Sequence, residues 1–273
     1  MKKMYGNFLE GKGTIITGGA SGFGKGVGLE FAKRGADVVL VDINGEKLEN
    51  AAKEIQDLTK RKIIPVQCDV SKSDQVDSMV KQSFEELDNV YILFNNAGIG
   101  THYGINIIKR KEEHWDQIIN VNLKGQWLVS KAVAKKMRRQ KFEPLAGKII
   151  HTASAAGIVV NSALPVYSIS KAGIIALTQV LAKTLAPKIT VNAISPGYHA
   201  TGIYNYDEKL ILDMIKEGGV KTPLNRLGTV EDVVNLVLFL AAPASDFITG
   251  HNFHIDGGIV DAGVPAHFIK SDV

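Results

Sequence analysis

The stretch Gly13-Thr14-Ile15-Ile16-Thr17-Gly18-Gly19-Ala20-Ser21-Gly22-Phe23-Gly24 sets the expectation for the fold. Its β-branched start predicts a strand, and the apolar period from Phe23 to Arg34 predicts a helix directly after it. Glycines between the two permit a tight turn and let backbone N–H groups approach a phosphate at the positive end of the helix. The stretch therefore predicts a strand–turn–helix unit that binds a dinucleotide, with candidate contacts at Gly18, Ser21, Gly22, Phe23 and Gly24.

Beyond this unit, short β-branched runs alternate with amphipathic segments along the chain. The predicted strands are Gly13–Thr17, Asp37–Val41, Ile63–Gln67, Val90–Phe94, Lys148–Thr152, Ile189–Ile194 and Asn252–Ile255. The predicted helices are Phe23–Arg34, Glu46–Leu58, Ser73–Leu87, Glu113–Arg139, Val166–Ala186 and Val230–Ala241. This alternation predicts an α/β fold, a Rossmann-type doubly wound parallel sheet of about seven strands with helices on both faces.

No repeat or linker divides residues 1–273, which predicts a single domain. Residues 198–227 separate a strand from a helix by about 30 residues, far more than the usual connection in such a fold. Because open α/β sheets bind ligands at the carboxyl ends of their strands, we expect a substrate lid there, with a short helix near Asp207–Lys216. The tail, residues 259–273, is expected to pack across a subunit boundary or to fray.

Composition excludes several classes of function. The net charge is +4 and the basic residues are spread along the chain, so no nucleic-acid surface is expected. No signal peptide is visible and no apolar stretch approaches the length of a membrane span, which predicts a cytoplasmic protein without a membrane partner. Cys68 is the single cysteine, and no cluster of His, Asp or Glu has zinc-like spacing. No disulfide and no catalytic metal are expected.

An acidic residue, Asp42, ends the second predicted strand. A carboxylate there accepts hydrogen bonds from adenosine ribose hydroxyls and repels a 2′-phosphate. The next residue is Ile43, where a phosphate would favour Arg or Lys. NAD is therefore predicted rather than NADP, the alternative being an ordinary turn aspartate before Asn44-Gly45.

The ends of the third and fourth strands carry further cofactor candidates. Asp69-Val70 follows the third strand, where Asp69 either caps the next helix or bonds to an adenine amino group. The fourth strand leads into Asn96-Ala97-Gly98, whose small residues suit close approach of a cofactor. For Asn96 a role in tying adjacent strands and a direct cofactor contact stay equally open.

Tyr167 and Lys171 are four residues apart on a predicted helix, so their side chains share one face. An unperturbed tyrosine has a pKa near 10, and a lysine cation beside it favours the phenolate and lowers that pKa. Ser154 follows the fifth strand and is placed to polarise a substrate oxygen. Asn122 lies inside a predicted helix, an unfavourable place for asparagine, which indicates a role in holding a water or Lys171.

In this order the motifs resemble the short-chain dehydrogenase/reductase (SDR) family over nearly the whole chain. Its elements include NNAG at 95–98, NVNLKG at 120–125, YSISK at 167–171, Pro196-Gly197 and IDGG at 255–258. The resemblance implies hydride transfer at nicotinamide C4 and, commonly, a homotetramer. It also implies that Tyr167 is the acid/base, that Ser154 positions substrate, that Lys171 binds the nicotinamide ribose, and that Asn122 completes a proton relay.

The segment after Pro196-Gly197 departs from the family pattern. An aliphatic residue is usual two positions on, with its backbone on the nicotinamide amide, and this chain has His199 there. Thr201 stands where a family-like threonine is expected. The His199 side chain would lie near the nicotinamide ring or the lid, or at the surface.

These observations predict an NAD(H)-dependent oxidoreductase that interconverts a small or medium secondary alcohol and its ketone. Tyrosines and asparagines of the lid favour a polyol, a sugar or a hydroxysteroid as substrate. Candidate substrate contacts are Ser154, His102, Tyr198 and Tyr204. The alternative is a non-catalytic NAD(H)-binding sensor or scaffold, which would have no need of the tyrosine.

Overall fold

The computed structural model of the chain describes residues 6–100, 106–199 and 222–263. Within these ranges seven strands form one parallel sheet in the order β3-β2-β1-β4-β5-β6-β7. They are β1 (Gly13–Thr17), β2 (Asp37–Asp42), β3 (Ile63–Gln67), β4 (Ile92–Asn95), β5 (Gly147–Thr152), β6 (Ile189–Pro196) and β7 (Asn252–Ile255). The strand order reverses between β1 and β4, and a ligand crevice is expected at the carboxyl edge there.

Helices cover both faces of this sheet. They are α1 (Gly22–Lys33), α2 (Gly45–Thr59), α3 (Ser73–Glu86), α4 (Glu112–Ile118), α5 (Gln126–Met137), α6 (Pro165–Leu185), α7 (Val230–Ala241) and the short α8 (Ile259–Ala262). Short 3₁₀ turns occupy Ile107–Lys109, Ala155–Gly157 and Pro243–Ser245. The predicted fold class, a Rossmann-type doubly wound sheet of seven strands, is confirmed.

Two apolar cores explain why the sheet is stable in this arrangement. On one face Phe31 of α1 and Val237 of α7 pack with Phe94 of β4. On the other, Met79 of α3 and Val133 of α5 pack against neighbouring strand residues. All eight residues of β6 are buried, as a strand covered on both faces requires. Each large apolar side chain buried in the two cores contributes about 1.5–3 kcal/mol by leaving water.

The predicted long helix Glu113–Arg139 is wrong in one respect. It is divided into α4 and α5 by a wider π-helical segment, Ile119–Gly125. Asn122 lies inside that segment and is fully buried. Wide turns of this kind occur mostly as single insertions at functional sites. Helical periodicity alone does not reveal them.

Helix α6 corrects the expectation that no apolar stretch approaches a membrane span. It has 21 residues and a mean hydropathy of 1.2 over an 18-residue window, so by length and composition it could cross a bilayer. Its buried residues include Lys171 and Thr178, and the Lys171 Nζ donates to the Thr152 carbonyl of β5. Core helices pass the same test of length and composition.

The remaining predicted segments lie mainly outside the described ranges. The expected helix near Asp207–Lys216 is among them, as is most of the predicted lid. Of the tail, only residues 259–263 are described, and 259–262 form α8.

Candidate active site

The glycine-rich turn between β1 and α1 has the geometry of an anion-binding loop. Gly18 and Gly22 adopt φ angles of 67° and 51°, a region that side chains disfavour. A Cβ on Gly24 would lie 2.0 Å from the Gly18 carbonyl oxygen, so the helix start packs directly on the turn. Ser21, the N-cap, gives no side-chain cap bond, which leaves the first N–H groups of α1 as donors. The residues present therefore fit a pyrophosphate.

Asp42 is fixed at the edge of this turn. One carboxylate oxygen accepts from the backbone N–H of Ala20 at 3.2 Å, and the other accepts from Asn44 N–H at 3.1 Å. The Ile43 side chain beside it is 65% exposed. The Lys25 ammonium of α1 is paired with Glu54 at 2.6 Å, which compensates its charge. A held carboxylate of this kind suits hydroxyl groups and repels phosphate.

Asp69 and Val70 lie at the end of β3. One Asp69 oxygen accepts from Ser71 N–H at 2.9 Å, while Lys72 is the N-cap of α3. The expectation that Asp69 caps this helix is therefore wrong, and a cofactor contact remains a prediction. Val70 is buried, and a Cβ on Gly125 would lie 2.9 Å from its Cγ2.

Asn96 ties three strand ends together. Its side-chain amide donates to the Thr17 carbonyl at 3.2 Å, and its oxygen accepts from the Thr152 hydroxyl at 3.2 Å. The Thr17 hydroxyl oxygen accepts from the N–H groups of Asn96 and Ala97, at 2.9 and 3.0 Å. These bonds fix the backbone of Asn96-Ala97-Gly98 beside the glycine-rich turn.

Lys171 is the most perturbed cation of the described site. Its side chain is 2% exposed, and Nζ donates to the Thr152 carbonyl at 2.7 Å. Burial lowers the pKa of Lys171 from its ordinary value of 10.5 to about 7. Nζ lies 5.6 Å from the centroid of the Tyr167 ring, which is half-buried. The predicted pair is therefore brought together on one face of α6.

Asn122 joins this pair to the loop after β4. Its oxygen accepts from Ile99 N–H at 2.8 Å, and its amide donates to the Ile99 carbonyl at 3.1 Å and to the Ser170 hydroxyl at 3.2 Å. A Cβ on Gly98 would lie 3.3 Å from the Asn122 oxygen and 3.6 Å from Lys171 Nζ. Asn122 thus positions the loop and α6, and Gly98 lies between it and the ammonium.

Ser154 lies in a tight turn that packs on α6. Its oxygen accepts from Ala156 N–H at 3.2 Å, and its hydroxyl lies 3.5 Å from the Pro196 carbonyl. A Cβ on Gly157 would lie 2.7 Å from Lys171 C and from Ala172 N. Glycine at 157 therefore lets the Ser154 turn rest on the backbone of α6.

The carboxyl end of β6 lies beside the same edge. Pro196 ends the strand, and a Cβ on Gly197 would lie 2.7 Å from the Asp256 Cβ. Tyr198 is half-buried, and its carbonyl accepts from Gly228 N–H at 2.9 Å. His199 is buried. The predicted contacts His102, Thr201 and Tyr204 lie outside the described residues.

A row of hydrogen-bonded, buried polar side chains lies beneath the site and was not predicted from the sequence. The Ser130 hydroxyl lies 2.8 Å from His151 Nε2, and the Thr178 hydroxyl oxygen lies 2.8 Å from His151 Nδ1. Burial and the nearby Lys171 lower the pKa of His151 to about 3, so it is neutral. Gln126, also buried, donates to the Thr152 carbonyl at 3.2 Å. A polar residue inside an apolar strand was the available signal.

His151 is thus a hydrogen-bonded core histidine. His254 of β7 is only partly buried, and its Nδ1 lies 2.9 Å from a carboxylate oxygen of the exposed Asp261. Among the residues that the structure describes, there is no cluster of metal-ligating side chains.

Comparison with known proteins finds consistent likenesses. A family model described as "Enoyl-(Acyl carrier protein) reductase" matches residues 18–260. The chain is 39% identical over 253 residues to 3-oxoacyl-[acyl-carrier-protein] reductase FabG of Thermotoga maritima, across 92% of this chain and 99% of the relative. It resembles a crystal structure of a short-chain type dehydrogenase/reductase from Mycobacterium marinum, with 36% identity, a TM-score of 0.85 and coverage of 92% and 96%. NAD+-bound xylitol dehydrogenase is similar at 30% identity and a TM-score of 0.82, covering 92% of this chain and 99% of that chain.

Proposed function

Because the chain belongs to the short-chain dehydrogenase/reductase family of oxidoreductases, we propose that it is an NAD(H)-dependent enzyme that interconverts a secondary alcohol and its ketone. The observation that carries the proposal is the buried Lys171 ammonium. It lies 5.6 Å from the centroid of the Tyr167 ring, at the edge of the sheet where the glycine-rich turn lies. A pure binding protein has no need of this pair.

Tyr167 is the proposed acid/base. In oxidation its phenolate takes the proton from the substrate hydroxyl, and in reduction its hydroxyl returns the proton to the carbonyl oxygen. The Lys171 cation favours the phenolate and thereby lowers the tyrosine pKa. A lowered pKa makes Tyr167 a more effective acid/base near neutral pH.

The remaining residues orient and bind. Ser154 donates to the substrate oxygen beside Tyr167, while Asn122 holds the loop after β4 against α6. The nicotinamide cofactor, when bound, accepts or supplies the hydride at C4. Lys171 and Tyr167 are proposed to bind its ribose, and Gly197 and His199 to contact its amide through the backbone.

We infer a preference for NAD over NADP from Asp42. Its carboxylate is held by two backbone N–H groups, so it cannot turn away from a 2′-phosphate without losing both hydrogen bonds. The two lysines of α1, Lys25 and Lys33, pair with Glu54 and Glu30 at 2.6 and 2.7 Å. Neither is thus a free cation for a 2′-phosphate.

For the substrate, we propose the 3-oxoacyl/3-hydroxyacyl thioester class. The supporting observation is the relative of 39% identity, which is named for a 3-oxoacyl group on an acyl carrier protein. A polyol or sugar alcohol is the second candidate, favoured by the likeness to xylitol dehydrogenase and by the tyrosines predicted in the lid. A hydroxysteroid has no such support from these relatives.

We also propose, from the family alone, a cytoplasmic homotetramer in which residues 198–227 form the lid of a single domain. The competing sensor or scaffold function gains no support from relatives, because those compared above are named enzymes.

The test is a panel of substrates assayed by NADH absorbance. It contains 3-oxoacyl and 3-hydroxyacyl thioesters, polyols and hydroxysteroids, each run with NAD(H) and with NADP(H). The proposal expects turnover of a thioester with NADH at higher kcat/KM than with NADPH. NADPH preference would refute the Asp42 argument, and polyol turnover without thioester turnover would refute the substrate class. Tight NADH binding with no turnover across the panel would favour the sensor.

A further inference from the structure

We propose that the neutral imidazole of His199 is a positioning group that locks the glycine-rich turn of the cofactor site against the backbone before α7. The proposal rests on the proposed cofactor site and goes beyond it, because the family pattern assigns only the backbone at this position. An aliphatic residue is usual there in the family, and this chain has a histidine instead.

The His199 ring is enclosed by the turn on one side and by Gly228 on another. The side chain is 6% exposed. Its ring meets the Phe23 ring edge to face, with centroids 5.3 Å apart and an interplanar angle of 88°. A Cβ on Gly228 would lie 2.1 Å from His199 Nε2, so the imidazole fits only because residue 228 has no side chain.

The backbone reinforces this contact. His199 forms a parallel bridge with Gly228, and Gly228 N–H donates to the Tyr198 carbonyl at 2.9 Å. Phe23 is the second residue of α1, whose first N–H groups face the predicted pyrophosphate. The imidazole therefore links the end of β6, the segment before α7 and the turn that would hold the cofactor.

The hydrogen bonds decide which form of the ring fits. His199 Nδ1 lies 3.2 Å from the Gly197 carbonyl, which only accepts, so Nδ1 carries the proton. Nε2 is buried and has no hydrogen-bond partner among the described residues. A second proton at Nε2 would place a cationic donor against Gly228 with no acceptor, and burying such a group is costly.

The surrounding charges do not reverse this preference. Asp232 of α7 and Asp256 after β7 favour the charged ring, while Arg226 of the segment before α7 opposes it. Burial is the largest effect and lowers the pKa of His199. Because the packed state has the lower pKa, packing is at full strength above the ordinary histidine pKa and weakens as the pH falls from that value toward the lowered pKa of the packed ring. The affinity for the cofactor should therefore fall as the pH falls through the same range.

The first test measures NADH affinity by fluorescence between about pH 5.5 and 8 for wild type, His199→Val and the control His251→Gln. His251 is an exposed histidine just before β7. Lys171, with a pKa of about 7, titrates in the same range in all three proteins, so the readout is the difference between their curves. Across the acid half of the range, wild type and the control should lose at least threefold more NADH affinity than His199→Val. Parallel curves for all three proteins would overturn the proposal. So would a smaller loss in wild type than in His199→Val, because the imidazolium would then favour cofactor binding.

The second test is a double-mutant cycle with the same binding assay near pH 7.5. Gly228→Ala should weaken NADH binding roughly tenfold in wild type, because the new Cβ displaces the imidazole. In His199→Ala the same change should cost less than twofold. An equal loss in both backgrounds would overturn the proposal, and thermal denaturation of each variant shows that it is folded. If wild type binds neither NADH nor NADPH, the proposed cofactor function itself fails. That failure is seen in wild type alone and is therefore distinct from a failure of the His199 proposal.

Discussion

Replacing Lys171 with Met should make the cofactor-free protein more stable near neutral pH. The same replacement should abolish turnover when cofactor is supplied. The side chain is buried, and burial lowers its pKa from 10.5 to about 7. At about 1.4 kcal/mol per unit, keeping this lysine in the folded chain costs about 4 kcal/mol near pH 7. Met removes that cost because it has no charge.

The replacement also removes a hydrogen bond. Lys171 Nζ donates to the Thr152 carbonyl, and its loss costs about 1–2 kcal/mol. That carbonyl keeps the Gln126 amide at 3.2 Å, so it is not left unpartnered. The expected net gain in the free energy of unfolding is about 2–3 kcal/mol near pH 7.

The pH dependence identifies the cause. A lysine whose pKa is lowered by folding releases its cost as the pH rises from the folded value toward the unfolded value. Near pH 10 the remaining cost is about 1 kcal/mol, so the advantage of Lys171→Met should shrink by about 3 kcal/mol between pH 7 and 10. Cys68 and Tyr91, whose pKa values burial raises, are common to both proteins and cancel in the difference.

The assay is urea unfolding of both proteins at the two pH values, at one protein concentration and without cofactor. A variant that is less stable near pH 7, or an advantage independent of pH, would refute the reasoning that Lys171 is a desolvated cation.

Three further outcomes are expected. Gly157→Val should lower kcat at least tenfold with an unchanged Kd for NADH. The new Cβ would lie 2.7 Å from Lys171 C and push the Ser154 turn off α6. An equally large loss of NADH affinity would contradict this. Asp42→Ser should reduce the ratio of NADH to NADPH kcat/KM at least tenfold, and an unchanged ratio would contradict the assignment. Thr178→Val should lower the free energy of unfolding by about 1–3 kcal/mol, measured in urea. The Thr178 hydroxyl donates to the Ile174 carbonyl at 2.8 Å, so it accepts from His151 Nδ1–H, and the replacement leaves that N–H buried without its acceptor. An unchanged free energy of unfolding would show that the bond is absent.

The alternation of strands and helices was predictable because strands covered on both faces must be almost wholly apolar, as Val38–Val41 is. The residues at which the strands begin were less predictable. β4 begins at Ile92 rather than Val90, because Val90 N–H donates to the Gln140 side chain and not to a neighbouring strand. Tyr91 bonds to Gly13 of β1 and Lys148 of β5, at the start of the two ladders. A bond to a residue 50 positions away leaves no local pattern.

The residues of the candidate site were predictable from local motifs, but their support was not. Tyr167 and Lys171 are recognisable in the sequence because they are four residues apart on a predicted helix. The π-helical segment around Asn122 depends on its bonds to Ile99 and Ser170, which are distant in sequence. Gly157 reads as a plain turn glycine until its contact with α6 is seen.

The measurement that tests the account most directly is turnover by Tyr167→Phe, with NADH and the best ketone substrate at saturation. The variant lacks only the hydroxyl, so the account predicts that kcat falls by about 10²–10⁴ while the Kd for NADH stays within about threefold. A variant that keeps more than about a tenth of wild-type kcat would show that Tyr167 is not the proton-transferring group.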